Sequence, residues 1–333
     1  MRTVLCFGEP LLRFAYGNNW IEDAAMPVYV GGAELNTATA LARWGVPVRY
    51  ATAIPDNQIS AEIITELKRR NIQTDAIMFS GERMGAYYLP RGAELKHAGV
   101  IYDRAGSAFA NLQTGQIDWD KEMAEVSWFH FSAISPALNA NSAAVCAEAL
   151  DAASRKNITI SVDLNYRAKL WQYGKAPVEV IPALVQHCDV IMGNIWAAEK
   201  MLGIEVDPDA ARDKSTLVQE SGRSAEKLML QFQRCRQVAN TFRFENESGL
   251  QYYATMYSSG KLFVSSEYST TGIVDKVGSG DCFMAGLIYG NFNKYREQCT
   301  LDFATAAAFD KLFIAGDCTS STIESILQKM KHA

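Results

Sequence analysis

One short stretch of the sequence, VDKVGSGDCFMAGL at 274–287, combines a glycine-rich turn, a carboxylate and the start of an apolar, helix-like run. Asp281 can cap free amides at the helix start, where the helix dipole favours a negative charge. Alternatively, Gly278, Ser279 and Gly280 can turn their amides toward an anion, and Asp281 can accept a proton beside it. The stretch alone does not decide between a structural cap and a general base.

A second glycine pair precedes another helix-like segment near the amino terminus, in VGGAELNTATALARWG at 30–45. Gly31 and Gly32 permit close approach of the backbone to a ligand. The apolar residues that follow at helical spacing, Ala38 and Trp44 among them, favour a buried helix face. Ligands of open α/β sheets collect at the carboxyl ends of the strands. We therefore expect the two glycine-rich loops to face one cleft.

The composition describes a well-packed globular protein: 333 residues, 48% hydrophobic and 21% charged. A net charge of −5 offers no basic surface, so we expect neither nucleic acid nor an anionic membrane as a partner. No stretch approaches ~18 consecutive apolar residues. The amino terminus, MRTVLCFGEPLLRF, lacks the pattern of a secretion signal. These features predict a cytoplasmic protein without a membrane span.

The cysteines and histidines form no recognisable metal or disulfide pattern. The seven cysteines are an odd number, spread along the chain, with no CxxC pair, which predicts reduced thiols. The four histidines show neither HxH nor HExxH spacing, so a histidine metal site is not expected.

Strand-like apolar runs alternate with helix-like segments along most of the chain. This alternation is typical of an α/β protein with a mostly parallel sheet, helices on both faces and right-handed crossovers. Residues 11–30 and 84–106 break the pattern with extended polar and aromatic alternation, which predicts a small accessory sheet. The polar segment 206–224 is interpreted as a surface insertion. With no internal repeat, residues 1–333 are expected to form a single domain.

Taken together, the two glycine-rich stretches resemble the paired signatures of the ribokinase-like, or PfkB, carbohydrate kinases, and the likeness extends over nearly the whole chain. The resemblance implies a Rossmann-type αβα sandwich with a small β-sheet lid, and phosphoryl transfer from ATP to a sugar hydroxyl. It also implies that Asp281 is the catalytic base and that Gly278, Ser279 and Gly280 form the anion hole. Phosphoryl transfer depends mainly on positioning and charge stabilisation, which agrees with these residue types.

Within that family, IYDRAGSAFANL at 101–112, SVDLNYRAKLW at 161–171, DKVGSGDCF at 275–283 and AGDC at 315–318 are similar to the 2-keto-3-deoxygluconate kinases. This likeness implies an acidic sugar as substrate. By motif, six residues would bind it: Gly32 and Asn36 at hydroxyls, Tyr87 and Tyr102 from the lid, and Arg104 and Arg167 at the carboxylate. Two guanidinium groups suit that target, since each can hold a carboxylate bidentately. Taken singly, these arginines and tyrosines also suit ion pairs or packing.

The sequence departs from the family pattern on the nucleotide side. Lys276 and Val277 replace the common threonines before GxGD, and Lys276 suits either a nucleotide phosphate or solvent. The Asn-x-x-Glu motif would begin at Asn194, a nucleotide-side residue by resemblance, but Ala197 occupies its acidic position. We therefore expect Mg²⁺ to arrive with ATP and assign no metal ligands. A monovalent cation near Asp275, known in part of the family, is left open.

These features favour an ATP-dependent kinase that makes 2-keto-3-deoxy-6-phosphogluconate from 2-keto-3-deoxygluconate. A PfkB kinase for another acceptor, such as ketodeoxygalactonate, fructose or tagatose, is the first alternative. The missing acid at Ala197 also allows a sugar-binding regulator without turnover. Residues 239–249 lack the glycine-rich nucleotide motif of ribokinase, so the adenine contacts are unassigned. The family pairs its lids, which predicts a homo-oligomer of even number through 11–30 and 84–106.

Overall fold

The computed structural model describes residues 2–17, 21, 25–91, 99–207, 213–246 and 249–331. Within these residues, strands and helices alternate along most of the chain. The strands are β1 (Thr3–Phe7), β2 (Leu11–Tyr16), β3 (Val28–Gly31), β4 (Val48–Ile54), β5 (Ile72–Gln73), β6 (Ile77–Phe79), β7 (Gly85–Pro90), β8 (Ile101–Asp103), β9 (Val126–Ser132), β10 (Thr159–Asp163), β11 (Val190–Gly193), β12 (Gln237–Asn246), β13 (Gly249–Ser258), β14 (Lys261–Val264) and β15 (Tyr268–Thr270). The α-helices are α1 (Ala33–Arg43), α2 (Gln58–Arg69), α3 (Trp119–Glu122), α4 (Ala140–Arg155), α5 (Pro177–Val185), α6 (Ile195–Leu202), α7 (Lys214–Gln231), α8 (Ser279–Phe292), α9 (Glu297–Lys311) and α10 (Ile323–Lys331).

The main sheet runs in the order β14-β13-β12-β11-β10-β9-β1-β4-β5, with β15 beside β13 and β6 beside β4. From β12 to β5 all neighbouring strands are parallel, and β13, β14 and β15 add an antiparallel edge. The central strands are continuous apolar runs, such as TVLCF in β1, which is buried at every position. Such runs are typical of a parallel sheet covered on both faces.

Each face of the main sheet has its own core. On β1, Val4 and Cys6 belong to a cluster with residues of α1, α8 and α9, whereas Leu5 and Phe7 belong to a second cluster with residues of α4 and α5. Successive side chains of a strand point to opposite faces, so helices cover both sides of the sheet. This arrangement confirms the predicted αβα sandwich.

A separate four-stranded sheet has the order β3-β2-β7-β8 and confirms the predicted small lid sheet. β2 pairs with β7 in parallel, while the two outer pairs are antiparallel. Buried and half-buried positions alternate along LLRFAY of β2, so one face of the lid packs on the body and the other stays accessible. The predicted ranges 11–30 and 84–106 cover the four strands except for Gly31 at the end of β3, and 18–20, 22–24 and 92–98 lie outside the described residues.

The interpretation of 206–224 as a surface insertion is wrong from Lys214 onward, where α7 begins. The helix buries Leu217, Ser221 and other small or apolar residues. Gly222 lies so close to β14 that a Cβ there would be 3.3 Å from Leu262. The buried face of α7 consists largely of small and polar residues. These residues pack closely but do not form the regular apolar pattern that predicts a helix. Residues 208–212 lie outside the described residues.

Candidate active site

A cleft of about 410 Å³ lies between the lid and the main sheet. Its walls come from the carboxyl ends of β10 and β11, the segment after β1, the lid strands β7 and β8, and the starts of α1 and α8. Ligands of open α/β sheets bind at this edge. The cleft brings together all the site residues assigned from sequence: Gly32, Asn36, Tyr87, Tyr102, Arg104, Arg167, Asn194, Lys276, Gly278, Ser279, Gly280 and Asp281.

The glycine-rich turn places the free amides at the start of α8 beside the cleft. Gly278 precedes the helix with φ 80°, a left-handed conformation that glycine adopts without strain. A Cβ on Gly278 would lie 1.9 Å from the carbonyl oxygen of Asp317, so a larger residue would force the two loops apart. Amides at a helix start have no partner within the helix and favour an anion. The turn is therefore built to receive a negatively charged group.

Asp281 is held by a hydrogen bond from α1. Its Oδ2 accepts from Asn36 Nδ2 at 2.7 Å. Asp281 lies in the first turn of α8, where its charge also suits the helix dipole. The contact with Asn36 joins the starts of α1 and α8 in the cleft.

Burial raises the pKa of Asp281 to about 8. The Asn36 hydrogen bond opposes this shift, whereas nearby Asp163 and Glu34 add to it. Glu34 is 1% exposed and accepts from the Ser132 amide at 2.9 Å, and burial raises its pKa to about 7. Strongly shifted carboxyl groups in a cleft are typical of sites that move protons.

Glu34 and Asp163 were not identified as site residues from the sequence. Asp163 is the last residue of β10, and an acid at the carboxyl end of a buried strand was the available signal. Glu34 lies in the first turn of α1, where an acid is also expected for helix stability alone. Only the packing of α1 against β9 shows that Glu34 belongs to the cleft.

The two arginines differ in how far their charge is already compensated. Arg104 is 3% exposed, and its Nε lies 2.5 Å from Glu9 Oε2, which is equally buried. Among the described residues, Arg104 Nη1 has no hydrogen-bond partner. Arg167 is half-buried, donates from Nη1 to the Tyr166 carbonyl at 2.9 Å, and forms no ion pair with any described residue. Arg167 therefore brings to the cleft a positive charge without a close ion pair, and this charge opposes the rise in the pKa of Asp281.

The lid tyrosines line the cleft with their rings. Tyr87 is 3% exposed, and its hydroxyl donates to Asp317 Oδ2 at 2.7 Å, which ties the lid to the body. The Tyr87 and Tyr102 ring centroids are 6.4 Å apart. The hydroxyl of Tyr87 is thus used within the protein, while the two rings form an aromatic wall.

On the nucleotide side, Asn194 caps α6 by accepting from the Ala197 amide at 2.8 Å. Glu199 pairs with Lys200 at 3.3 Å and is absent from the described lining of the cleft. Lys276 lines the cleft and pairs with Glu245. No cluster of three or more histidine, cysteine or acidic residues suited to a metal ion occurs in the described part of the chain.

Four further residues on this side were missed by the sequence analysis: Trp196, Thr241, Arg243 and Tyr252. Thr241 and Arg243 are two positions apart on β12 and therefore share one face of the sheet. This alternation was the available signal in a segment that lacks the glycine-rich motif. The volume of the cleft, its helix-start amides and its basic side chains Lys276 and Arg243 suit a nucleotide triphosphate. The described residues form no cluster suited to hold a metal ion by themselves, so Mg²⁺ would be bound at this site mainly by the phosphates of the nucleotide.

A covered parallel sheet, a small lid sheet and a carboxylate beside an anion-binding helix start define a phosphotransferase of the ribokinase-like class. The model of the pfkB family carbohydrate kinases matches residues 1–310, and the chain belongs to this family and is a carbohydrate kinase. No described helix has both the length and the apolar character that crossing a membrane requires.

Relatives with a stated substrate act on deoxy sugar acids or sugars. A 2-dehydro-3-deoxygalactonokinase of Haloferax volcanii is 26% identical over 336 residues, covering 98% of this chain and 96% of the relative. The crystal structure of 2-dehydro-3-deoxygluconokinase from Thermotoga maritima is 31% identical, with a TM-score of 0.89, and the match covers 99% of this chain and 100% of the other. Fructokinase from Xylella fastidiosa with bound ATP shares the fold at 18% identity, with a TM-score of 0.78 over 99% of this chain and 98% of the other.

Proposed function

We propose that this kinase transfers a phosphoryl group from ATP to the 6-hydroxyl of 2-keto-3-deoxygluconate, also called 2-dehydro-3-deoxygluconate, and so makes 2-keto-3-deoxy-6-phosphogluconate. The observation that carries the proposal is the guanidinium of Arg167, which has no close ion pair among the described residues and lies in the same cleft as Asp281 and the glycine-rich turn. A neutral sugar has no group that needs this charge, whereas a sugar acid has one. The 31% identical Thermotoga maritima structure carries the matching name.

In this proposal Asp281 is the catalytic base. It accepts the proton of the attacking hydroxyl as the oxygen bonds to the γ-phosphorus and the bond to ADP breaks. Asn36 Nδ2 donates to Asp281 Oδ2 at 2.7 Å, which fixes the orientation of the carboxylate. The amides of the 278–280 turn stabilise negative charge on the transferred group. Mg²⁺ supplies further charge neutralisation when bound with ATP, and Lys276 and Asn194 are assigned to the nucleotide side.

The acidic end of the substrate is assigned to the arginine side of the cleft. Arg167 supplies the charge, and Arg104 contributes its unpartnered Nη1 while Glu9 keeps the rest of its guanidinium fixed. Tyr87 and Tyr102 cover the sugar from the lid with their rings. Gly32 packs on the Glu9 carbonyl, since a Cβ there would lie 2.3 Å from its oxygen, and a larger residue would therefore displace the start of α1 at the cleft.

A second acceptor is favoured by a separate observation. The Haloferax volcanii relative named 2-dehydro-3-deoxygalactonokinase matches 98% of this chain. Its acceptor is the C4 epimer of the gluconate compound and offers the same carboxylate to Arg167. The two acids therefore share every contact proposed here except those of one hydroxyl.

A panel of acceptors tests the proposal. The pure protein is incubated with ATP, Mg²⁺ and each of five compounds, namely the two epimeric acids, 5-dehydro-2-deoxygluconate, fructose and tagatose, and ADP is measured. We expect the highest kcat/KM with 2-keto-3-deoxygluconate and a product phosphorylated at C6. A higher value for the epimer would assign the second acceptor, and a higher value for fructose or tagatose would refute an acidic substrate. Asp281→Asn serves as the blank for contaminating ATPase.

A further inference from the structure

A group of four charged side chains, three of them buried and one half-buried, lies beneath the glycine-rich turn, and the mechanism above does not use it. Arg13, Asp275, Lys311 and Asp317 form this group, called the buried charge cluster below. Arg13 and Asp317 are each 3% exposed, and Lys311 is 0% exposed. Charged side chains are rarely buried to this degree unless they are paired and do something that apolar residues cannot.

Arg13 reaches the cluster from the lid strand β2. Its Nη1 and Nη2 donate to the two carboxylate oxygens of Asp275 at 3.2 and 2.6 Å, and its Nε lies 2.8 Å from Asp317 Oδ1. Its guanidinium also lies 4.5 Å from the centre of the Tyr29 ring. Burial disfavours the charge of Arg13, but the two carboxylates outweigh it, so the pKa of Arg13 is raised.

The carboxylate of Asp275 has no room for a free cation. Besides Arg13, its Oδ1 accepts from the Val277 amide at 3.0 Å, and its Oδ2 accepts from the Gly316 amide at 3.1 Å. Each oxygen thus receives two donors, which fills its usual hydrogen-bonding capacity. A monovalent cation bound to Asp275, as in part of this family, would have to displace the guanidinium. These residues do not fit such an ion.

The ammonium group of Lys311 is the second positive charge of the buried charge cluster. Lys311 ends α9, and its Nζ donates to the Ile314 carbonyl at 3.0 Å. Burial lowers the pKa of Lys311, and Asp275 and Asp317 oppose that shift. A Cβ on Gly278 would lie 3.4 Å from Lys311 Cε, so the lysine stem packs directly behind the turn.

The cluster joins the two loops that shape the anion hole. The Val274 and Asp275 amides donate to the Leu312 carbonyl at 2.8 and 3.1 Å, which pairs the loop before the turn with the loop after α9. Gly278 packs on the carbonyl of Asp317 in that second loop. A shift of either loop would therefore move the amides that face the phosphoryl group.

We propose that this kinase works without a monovalent cation, because Arg13 and Lys311 supply as side chains the positive charge that holds these two loops. Both are positioning residues that act through the 278–280 turn. The inference rests on the anion-hole role proposed for that turn and is independent of which sugar is the acceptor. Because Arg13 belongs to β2, the same contacts also link the lid to the anion hole.

The first experiment uses the wild-type protein and the best acceptor of the panel, so turnover is established before the salts are compared. We measure kcat, and by calorimetry the Kd of Mg·ATP without acceptor, in potassium chloride and in tetramethylammonium chloride at equal ionic strength. Tetramethylammonium is too large to replace a coordinated metal ion. Both constants should be the same in the two salts. Activation by K⁺, or tighter ATP binding in K⁺, would overturn the proposal.

The second experiment removes one built-in charge. Lys311→Gln should keep a cooperative thermal transition but lose about tenfold to a hundredfold in kcat, as expected when catalytic amides are misplaced. K⁺ or NH₄⁺ should restore part of this loss, which a purely structural lysine would not show. Lys329→Gln, which removes a half-buried lysine 3.4 Å from Asp310, is the matched control and should respond to neither ion.

Arg13→Gln repeats the test from the lid side, and guanidinium chloride at low concentration should raise its kcat. Arg234→Gln is its control, because Arg234 forms an ion pair with Asp189 at 3.1 Å and is absent from the described lining of the cleft. Wild-type kcat in folded Lys311→Gln, or a loss that no added cation relieves in either variant, would contradict the proposal. If the variants do not fold, the wild-type salt comparison still decides it.

Discussion

At the scale of single residues, burial of Asp281 destabilises the folded protein when the carboxylate is ionised, and the same burial gives the pKa proposed for the catalytic base. Burial raises its pKa to about 8, close to neutral pH. A base with such a pKa is present partly in its active form and still binds a proton strongly. Asn36 moderates the shift by donating to the ionised carboxylate.

Asp281→Asn should abolish most turnover while increasing stability near pH 8. A positioned base typically contributes ~10²–10⁴-fold to the rate. The neutral carboxyl stabilises the folded state fully below about pH 4, and this contribution is lost as pH rises toward the folded pKa. Asn stays neutral, so its Tm should exceed that of wild type at pH 8 and match it near pH 4. Retention of more than about a tenth of the wild-type rate would show that Asp281 is not the base.

The pH dependence of kcat/KM should follow the ionisation of Asp281. Because the base acts in its ionised form, kcat/KM should rise with pH and level off above about 8. Asn36→Ala removes a hydrogen bond that lowers this pKa, so the rise of kcat/KM should shift to higher pH in this variant. Asn139→Ala removes a helix cap that accepts from the Ser142 amide, and the rise should stay at the wild-type pH. If kcat/KM rises at the same pH in all three proteins, Asp281 is not the group that titrates.

The two arginines should respond differently to substitution by Leu. Arg167→Leu should raise KM for the sugar acid much more than for its neutral analogue, by about tenfold to a hundredfold, since a charge-assisted contact of ~1.5–3 kcal/mol is lost. Arg104→Leu should instead unfold more easily, because Glu9 is left buried without its partner, a loss of about 3–5 kcal/mol. Adding Glu9→Gln to Arg104→Leu should recover part of the Tm. Equal losses of Arg167→Leu on acid and neutral substrates would favour a neutral ketose.

At the scale of elements, the lid uses its two faces for different purposes. One face sends Arg13 and Tyr87 into the body. The other face carries half-buried Leu12 and Phe14, with the Phe14 ring 5.0 Å from Tyr88, beside the 50% exposed Val28. This face and α2 line an open groove of about 780 Å³. An accessible apolar face on a small sheet favours pairing with a second copy.

Light scattering should therefore show a dimer or a higher even oligomer at micromolar concentration. Val28→Glu should shift the protein toward the monomer, because a charge in an apolar interface must be desolvated. Leu230→Glu, at a 76% exposed position on α7, is the matched control and should leave the mass unchanged. A wild-type monomer would rule out assembly through the lid.

At the scale of the whole molecule, an ion pair and a hydrogen bond join the lid to the body of the protein. Arg13 bonds Asp275 across 262 positions of the sequence, and Tyr87 bonds Asp317 across 230. Each of these contacts ties a lid strand to a loop of the body. We therefore predict that residues 1–333 fold as one domain.

Thermal unfolding followed by circular dichroism and by tryptophan fluorescence should give one transition with a common midpoint. Saturating Mg·ATP should raise this midpoint, by about 2.7 kcal/mol of stability at a hundred times its Kd, since it binds the folded state alone. Two separated transitions, or a midpoint that Mg·ATP shifts in only one probe, would show that the lid folds independently of the body.

Patterns that depend on neighbours in the chain were predictable. The αβα sandwich follows from apolar runs alternating with helical periods, and the small sheet follows from the segments that break this alternation. The turn before α8 follows from the glycine-rich sequence at the start of an apolar, helix-like run, because glycine permits φ 80° at Gly278. The helix α7 was missed, because its buried face uses small residues such as Gly222 in place of a regular apolar stripe.

Most element types, the two glycine-rich turns and the residue types available for catalysis were predictable, since they depend on local backbone conformation and side-chain period. The pairing of charges was not predictable, because it depends on tertiary contacts. Asn36 donates to Asp281 across 245 positions of the sequence. Glu9 pairs with Arg104 and not with Arg167. Arg13 donates to both carboxylate oxygens of Asp275. Such pairings follow from how strands and helices pack. The free energy of a buried charge depends on these distant partners, and no local pattern records them.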